Sequence, residues 1–517
     1  MRLITIGITG VTGAMGGEVL SHLMEAFPEA KIKVLVRNYK KRHLKRFISS
    51  LLRKGKNQIE VIDGSLEDKD IILSFVKDCD YIIHNGAMIP PKADHDEEQC
   101  YKSNFIGTKN IVDSIEESGQ AEKTKLVHIS TVALYGNRDS KHPWARMGDP
   151  VMVSAYDYYG ASKARAEHYV LESNIKNWVV LRQTGILHKY FLTNNLNDGL
   201  MFHTVWNGPL DWVTDRDSGL MIEHLVEKDL KGQLEGFWCN DYNITGGPKC
   251  RETGYETFKA GFDLMGGAVE DFFNPNWNIP RNFHGVWYTD ENVLNDWLDY
   301  QSEDLETFWK RMRKIDWYFK FGKIIPVKLL RKIVIERLLS NSNAPMKWIN
   351  DNDEGKIKAF WGSREEFEKI PSTWENYPLL CKGKDEKGKP LDYKKLLESG
   401  SKKKYILNHG YDEKKKDEEL TLKDMKEAAA FRAGKCLSRK MKKGDLQTKL
   451  EWKCHNGHTF TAKPFTVLKA GFWCPECCLP GPIWQYDKLS QKIPFYAQVH
   501  YDTHSKKEDN VYPLGEE

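Results

Sequence analysis

Along the first 185 residues, short apolar runs alternate with stretches whose apolar positions recur at helical spacing. Runs at 4–8, 31–37, 59–63, 80–87, 125–131 and 178–182 read as six strands. The stretch Glu18 to Phe27 and the one beginning at Asn104 read as helices. Strands in alternation with helices predict an α/β fold with a doubly wound parallel sheet. In such sheets ligands bind beyond the carboxyl ends of the strands. Gly10, Arg37, Asp63, Asn85 to Ala87 and Thr131 all fall at those ends.

The first strand runs into Thr9-Gly-Val-Thr-Gly-Ala-Met-Gly16 and then into an apolar helix. Strand, glycine loop and helix form the context of a dinucleotide-binding turn. Gly10 allows the tight turn, Gly13 lets the backbone approach a pyrophosphate, and Gly16 lets the helix pack closely. Thr12, Ala14 and Met15 complete the loop, whose N–H groups would face the anion. The second strand ends in Arg37, followed by Asn38, Lys40 and Lys41, where an NAD site carries an acid. A guanidinium there suits a 2′-phosphate, so NADP(H) is the expected cofactor over NAD.

Tyr159 and Lys163 lie four apart, on one side of a helix that follows the fifth strand. The spacing recurs at Tyr255/Lys259 and Tyr411/Lys415, so context singles out the first pair. Ser130 and Thr131, at the tip of the fifth strand, place hydroxyls nearby. A lysine charge beside the phenol would lower its pKa, and the phenol could then exchange a proton with an alcohol or carbonyl oxygen.

Residues 1 to about 325 resemble an extended short-chain dehydrogenase/reductase of the epimerase/dehydratase type. The motifs are the glycine loop, Asp63, His84-Asn-Gly-Ala87, Asn104-x-x-Gly-Thr108, Ser130-Thr-Val-Ala-Leu-Tyr-Gly136, Tyr159-x-x-x-Lys163 and Leu181-Arg-Gln-Thr-Gly185. The resemblance implies Tyr159 as acid/base, Lys163 on the nicotinamide ribose, Thr131 on the substrate oxygen and Asn104 in the catalytic set. It also implies Asp63 and Gly64 near adenine, Asn85, Gly86 and Ala87 along the cofactor, and Gln183, Thr184 and Gly185 beside the nicotinamide. Val132 and Ala133 stand where dehydratases of this type carry Asp-Glu, so a sugar 4,6-dehydratase is not expected. Gln183 replaces the usual Pro, and Leu187-His188 the usual Tyr-Gly, which argues against a standard nucleotide-sugar substrate.

From about 190 to 320 the pattern is irregular and rich in tryptophan, as expected of a small substrate lobe. Trp206, Trp212, Trp238, Trp277, Trp287, Trp297 and Trp309 suggest an aromatic wall facing an apolar substrate, or simply a core. Residues 326–345 read as a basic amphipathic helix and a linker at Ser340 to Pro345. Such a helix bridges domains or lies on an anionic membrane.

Residues 346–517 form an expected C-terminal domain, with a compact module at about 420–480. Leu420 to Lys442 reads as helical, with Gly434 as a break. Cys454-His-Asn-Gly-His458 and Cys474-Pro-Glu-Cys477 have zinc spacing, and the segment resembles a zinc ribbon or treble clef. Cys454, His458, Cys474 and Cys477 would close a structural Zn²⁺ site, with Cys478 a spare thiol. Lys463, Lys469, Phe472 and Trp473 could touch single-stranded nucleic acid, which is the less expected use of the module.

The net charge of +4 names no partner, and the ten cysteines cluster only near the C-terminal end, as in a reducing compartment. No apolar run reaches spanning length and the first residues read as a strand, so a cytoplasmic location is expected. The sequence thus points to an NADP(H)-dependent oxidoreductase acting on a carbonyl or alcohol, expected as a homodimer. The alternatives are an epimerase working through a transient keto sugar and a nucleotide-sensing scaffold.

Overall fold

A computed structural model of the chain describes residues 3–52, 57–315, 325–384, 386–400, 406–479 and 481–514. Its centre is a parallel sheet of seven strands. They are β1 (Thr5–Thr9), β2 (Lys31–Val36), β3 (Gln58–Asp63), β4 (Tyr81–His84), β5 (Lys125–Thr131), β6 (Asn177–Gln183) and β7 (Asn240–Ile244). Their spatial order is β3-β2-β1-β4-β5-β6-β7, so the winding direction reverses between β1 and β4. That crevice is where an α/β sheet binds its ligand. Ile6, Ile8, Val34, Ile83, Val127 and Val179 are fully buried, because helices cover both faces.

The six expected strands are present. β7 is additional, and it lies in the stretch read as irregular. Its sequence, Asn-Asp-Tyr-Asn-Ile, is too polar to announce a strand, yet it pairs with β6 from Asn240 opposite Val179 to Ile244 opposite Gln183. The first helix, α1, runs Ala14–Ala26 and so starts earlier than Glu18. It buries Val19, Leu20 and Leu23, each contributing about 1.5–3 kcal/mol. It packs on helix Asp215–Leu230, where Gly219 meets the Glu18 backbone.

The C-terminal residues share a core with the sheet and its covering helices. Trp178 of β6 packs edge-on against Phe465. The indole of Trp484 donates to Val153 O (2.8 Å), and Arg182 of β6 donates to Ala470 O (2.7 Å). Ser340 to Pro345 is not a free tether: Ala344 is fully buried and Asn343 Nδ2 donates to Asp198. The preceding helical stretch, Val327–Ser340, buries Ile335 and Leu338 and exposes Leu329 and Ile333. Lys320 and Lys323 of the basic joint lie outside the described residues. Between 420 and 442 the helix covers only Leu422–Phe431, and Lys435–Cys436 is a strand paired with Leu450–Lys453. Among the described residues, no helix is long and apolar enough to cross a membrane.

Candidate functional site

The loop after β1 is shaped by contacts that only glycine tolerates. Gly10 has φ +74°, and a Cβ there would lie 2.8 Å from the backbone of Asn85 and Gly86. A Cβ on Gly16 would lie 2.2 Å from Gly10 O. The loop after β4 therefore seats directly on the loop after β1. Gly86 N donates to Thr9 Oγ1 (2.9 Å), which also pairs with His84 Nδ1 (2.8 Å). Thr12 and Gly13 are exposed. Gly13 caps α1 without a side-chain hydrogen bond, which leaves the first-turn amides of Ala14, Met15 and Gly16 open to an anion.

Arg37 is exposed just past β2, and the turn continues through Asn38 at φ 58°. The Asp63 carboxylate accepts the Tyr39 N–H (2.9 Å), which ties the ends of β2 and β3 together, and Gly64 packs on Ile71. Both polar atoms of the Asn85 side chain are buried without a partner, beside the half-buried Ala87. A glycine cradle, open helix amides and an unsatisfied amide in one crevice fit a dinucleotide.

The helix that follows β5 runs Tyr158–Leu171 and is capped by Asp157, which accepts from Gly160 N (2.7 Å). Tyr159 and Thr131 are brought together: the Thr131 hydroxyl bonds the phenol and opposes the burial that pushes its pKa up to about 12. This corrects the expected depression of the phenol by Lys163. The Lys163 ammonium is directed instead at Ile129 O (2.7 Å), with His128 Nε2 at 3.4 Å. Burial lowers Lys163 to about 8.

Asn104 sits in a π-helical turn, Lys102–Ile106, a distortion common at functional sites. Its amide accepts from Met88 N (2.7 Å) and donates to Met88 O and Ser162 Oγ (both 3.0 Å). It therefore ties the loop after β4 to the Tyr159 helix. Gln183 lies opposite Thr131 in the sheet, and its Oε1 is buried without a partner. Thr184 Oγ1 donates to Asp211 O (2.7 Å), and Gly185 is pressed against the Trp212 ring.

Two histidines join these parts: His84, quoted in a motif but given no role, and His128, which was not singled out. His84 and His128 face each other across β4 and β5 with ring centroids 5.4 Å apart. Burial, with the Lys163 charge, pushes His84 down to about 3 and His128 well below its ordinary value, so both stay neutral. The polar chain Lys163–His128–His84–Thr9 reaches from the Tyr159 helix to the glycine loop. Asp94 was also missed. Burial, then the neighbouring Asp157 charge, raises its carboxyl to about 8, and its Oδ2 has no partner. Only the spacing of His84 and His128 from their strand ends carried a hint. Asp94 carried none.

The tryptophans of the small lobe do not form one wall over the cleft. Trp206, Trp277, Trp287 and Trp309 are buried in core clusters, Trp238 and Trp297 pack on the sheet core, and Trp212 lies against the segment after β6. At the tip of β5, Val132 and Ala133 are buried in a short 3-10 turn that brings no carboxylate beside Thr131.

In the C-terminal region Cys454, His458, Cys474 and Cys477 converge, one ligand atom of each lying within 4.8 Å of the others. Cys454 ends the strand Leu450–Lys453, and Gly457 at φ +92° turns the chain back so that Cys454 N bonds His458 O (3.0 Å). Cys474 Sγ lies 3.6 Å from His458 Nδ1, Cys477 Sγ 3.8 Å from Cys454 Sγ, and Cys478 Sγ 3.6 Å from Cys477 Sγ. The nearby candidates for nucleic-acid contact are not available: Phe472 and Trp473 are buried, Lys463 is bonded to Ser173 O and Lys469 to Asp417.

Residues 6–183 match the sequence model of the NAD dependent epimerase/dehydratase family. The chain is 31% identical over 137 residues to a UDP-N-acetylglucosamine 4,6-dehydratase (inverting) of Campylobacter jejuni, covering 25% of this chain and 38% of that one. It is 25% identical over 170 residues to 3 beta-hydroxysteroid dehydrogenase type 7 of Rattus norvegicus, covering 32% and 48%. The chain thus spans less than half the length of these relatives. A dTDP-glucose 4,6-dehydratase structure from Bacillus anthracis, in complex with NAD, superposes at 16% identity over 61% of this chain and 97% of that one, with a TM-score of 0.45.

Proposed function

Residues 6–183 match the model of the NAD dependent epimerase/dehydratase family, and from that match we propose that the chain is an NADP(H)-dependent oxidoreductase of a carbonyl or alcohol substrate. The observation that carries this reading is the meeting, at one end of the sheet, of the glycine cradle with the Thr131–Tyr159 pair and the Lys163 ammonium. When bound, the nicotinamide supplies or accepts the hydride. Gly10 to Gly16 hold the pyrophosphate and exposed Arg37 pairs with a 2′-phosphate. Asn85 and Gln183 use their unsatisfied amides on the cofactor, and Lys163 turns from Ile129 O to its ribose. Thr131 orients the substrate oxygen and Tyr159 exchanges a proton with it.

The second reading is a nucleotide sugar handled by an epimerase that leaves the cofactor unchanged overall; the Campylobacter relative, a UDP-N-acetylglucosamine 4,6-dehydratase, supports its substrate class and not the epimerisation. The rat relative and the missing acid after Thr131 favour net reduction or oxidation. NADPH consumption against a panel of sugars, steroids and fatty aldehydes separates the two. Tyr159→Phe should cut turnover by about 10²–10⁴ while NADPH binding, followed by its fluorescence, is kept. Unchanged turnover would remove Tyr159 from the chemistry.

The cysteine cluster is read as a closed, structural Zn²⁺ site. Zn–S bonds of about 2.3 Å at the tetrahedral angle put two sulfurs about 3.8 Å apart. Cys454 and Cys477 already stand 3.8 Å apart. Four protein donors leave no position for a substrate, so the ion would hold the hairpin to the Cys474–Cys477 turn.

A further inference from the structure

The last helices of the chain bury a second set of metal-type donors, unrelated in sequence to the cysteine cluster. Helix Tyr486–Lys492 contributes Asp487, helix Pro494–His500 ends on His500, and the turn after it brings His504. Asp487 and His500 are each 1% exposed and His504 is 8% exposed. The two histidines are four residues apart, and their rings stack in parallel at 4.2 Å. His500 Nε2 is 2.8 Å from Asp487 Oδ1. One ligand atom of each residue lies within 4.8 Å of the other two.

The hydrogen bonds around the cluster leave it incomplete. Asp487 Oδ2 accepts from Asn510 N (2.9 Å) and Nδ2 (3.0 Å), which fixes the carboxylate with Oδ1 turned to the histidines. His504 Nδ1 pairs with the Thr503 hydroxyl (3.1 Å), while His504 Nε2 is buried without a partner, as is His500 Nδ1. A ring held through one nitrogen, with the other presented to a buried carboxylate and imidazole, is the arrangement of a metal-ligating histidine. The positive charge nearby is already answered: Arg281 donates to both Glu508 oxygens (3.0 and 2.7 Å). The Trp484 ring lies 6.0 Å from His500 and 5.9 Å from His504, an apolar wall that keeps water out.

We propose that Asp487, His500 and His504 bind a divalent transition-metal ion, which clamps the final two helices together. Two imidazoles and one carboxylate select Zn²⁺, Co²⁺ or Fe²⁺ over Mg²⁺ or Ca²⁺. Zn–N and Zn–O bonds of about 2.0–2.2 Å require donors about 3.3–3.5 Å apart, so Asp487 and His500 would separate slightly as the shared proton leaves, and one of the two stacked rings would turn so that the ion lies in the plane of both imidazoles.

The test uses the full-length chain crystallised with excess Zn²⁺ and measured across the zinc absorption edge. The expected result is an anomalous peak within about 2.2 Å of donor atoms of Asp487, His500 and His504, whether or not a peak is also present at the cysteines. A peak at the cysteines alone overturns the proposal. In solution, His500→Gln/His504→Gln should lower bound metal by one ion per chain. In the Co²⁺-loaded protein it should remove the d–d absorption that carries no sulfur-to-cobalt charge transfer. Unchanged metal content in that variant also overturns it. If the variant does not fold, the cobalt spectrum of the unmodified chain decides: a thiolate-type spectrum with no second component is the negative result.

Discussion

Gly16→Ala and Gly17→Ala are the same substitution on the same helix turn, and the structure separates their outcomes. Each should gain about 1 kcal/mol of helix propensity. At Gly17 the new methyl would meet only Val11 O at 3.6 Å, an ordinary contact. At Gly16 it would fall 2.2 Å from Gly10 O and 2.7 Å from Gly10 C. Both are backbone atoms, so no rotamer change relieves the overlap. Reaching a normal separation displaces the loop from α1 by about 1 Å, and a misplacement of that size costs up to about 10²-fold. Overpacking of this kind also costs about 1–3 kcal/mol of stability. Gly16→Ala should therefore weaken NADPH binding by about 10- to 100-fold, or about 1.4–2.7 kcal/mol, while Gly17→Ala binds normally. Fluorescence titration at fixed salt measures both, with circular dichroism to show that each variant is folded. Equal affinities for the two variants would refute the assignment of the loop as the cofactor cradle.

Lys163 is lowered from 10.5 to about 8 by burial. A lysine depressed in the folded state destabilises fully below pH 8, and the penalty is lifted between pH 8 and 10.5. Lys163→Met should remove a rise of about 3 kcal/mol from the urea-unfolding stability across that window. An identical pH dependence in the variant would count against the buried ammonium. Arg182 and Glu167 are both 0% exposed and paired at 2.6 Å, with Asp241 the next acid at 3.9 Å. Glu167→Gln should cost about 3–5 kcal/mol, and a loss under 1 kcal/mol in urea melts would show that Asp241 takes over the charge. Cys474→Ser should reduce the EDTA-induced fall in melting temperature, leaving only the part due to the Asp487–His500–His504 site. Because Ala470 O holds Arg182 beside Gln183, it should also depress turnover; an EDTA response as large as that of the unmodified chain would refute the cysteine site.

The parts of the crevice readable from sequence were those set by short-range rules. Gly10 and Gly16 sit in a strand–loop–helix signature, and Tyr159 follows a strand tip carrying Thr131. The direction of the Lys163 side chain was not readable, since helical spacing gives a face and not a rotamer. His84 and His128 acquire meaning only when β4 and β5 pair, 44 residues of sequence apart by their numbers. β7 was hidden by its polar composition, which is tolerated in a buried strand because Asn243 is bonded to Tyr135 and Asp290 and Asp241 faces Arg182. The fusion of the C-terminal region with the sheet was invisible for a related reason. Trp178 lies in an expected strand and Trp484 carries no pattern of its own, and nothing local to either says which partner it meets.

That fusion has a consequence for how the chain comes off the ribosome. Arg182, Trp178, Val151 and Val153 are synthesised early, yet their partners Ala470, Phe465, Gly471 and Trp484 emerge some 290–330 residues later. At about 5–20 residues per second, the nascent nucleotide-binding half waits tens of seconds with this side uncovered. A nascent chain stalled before residue 460 would leave Trp178 bare and the Arg182–Glu167 pair uncovered, an invitation to chaperones that a self-sufficient domain of this type would not extend.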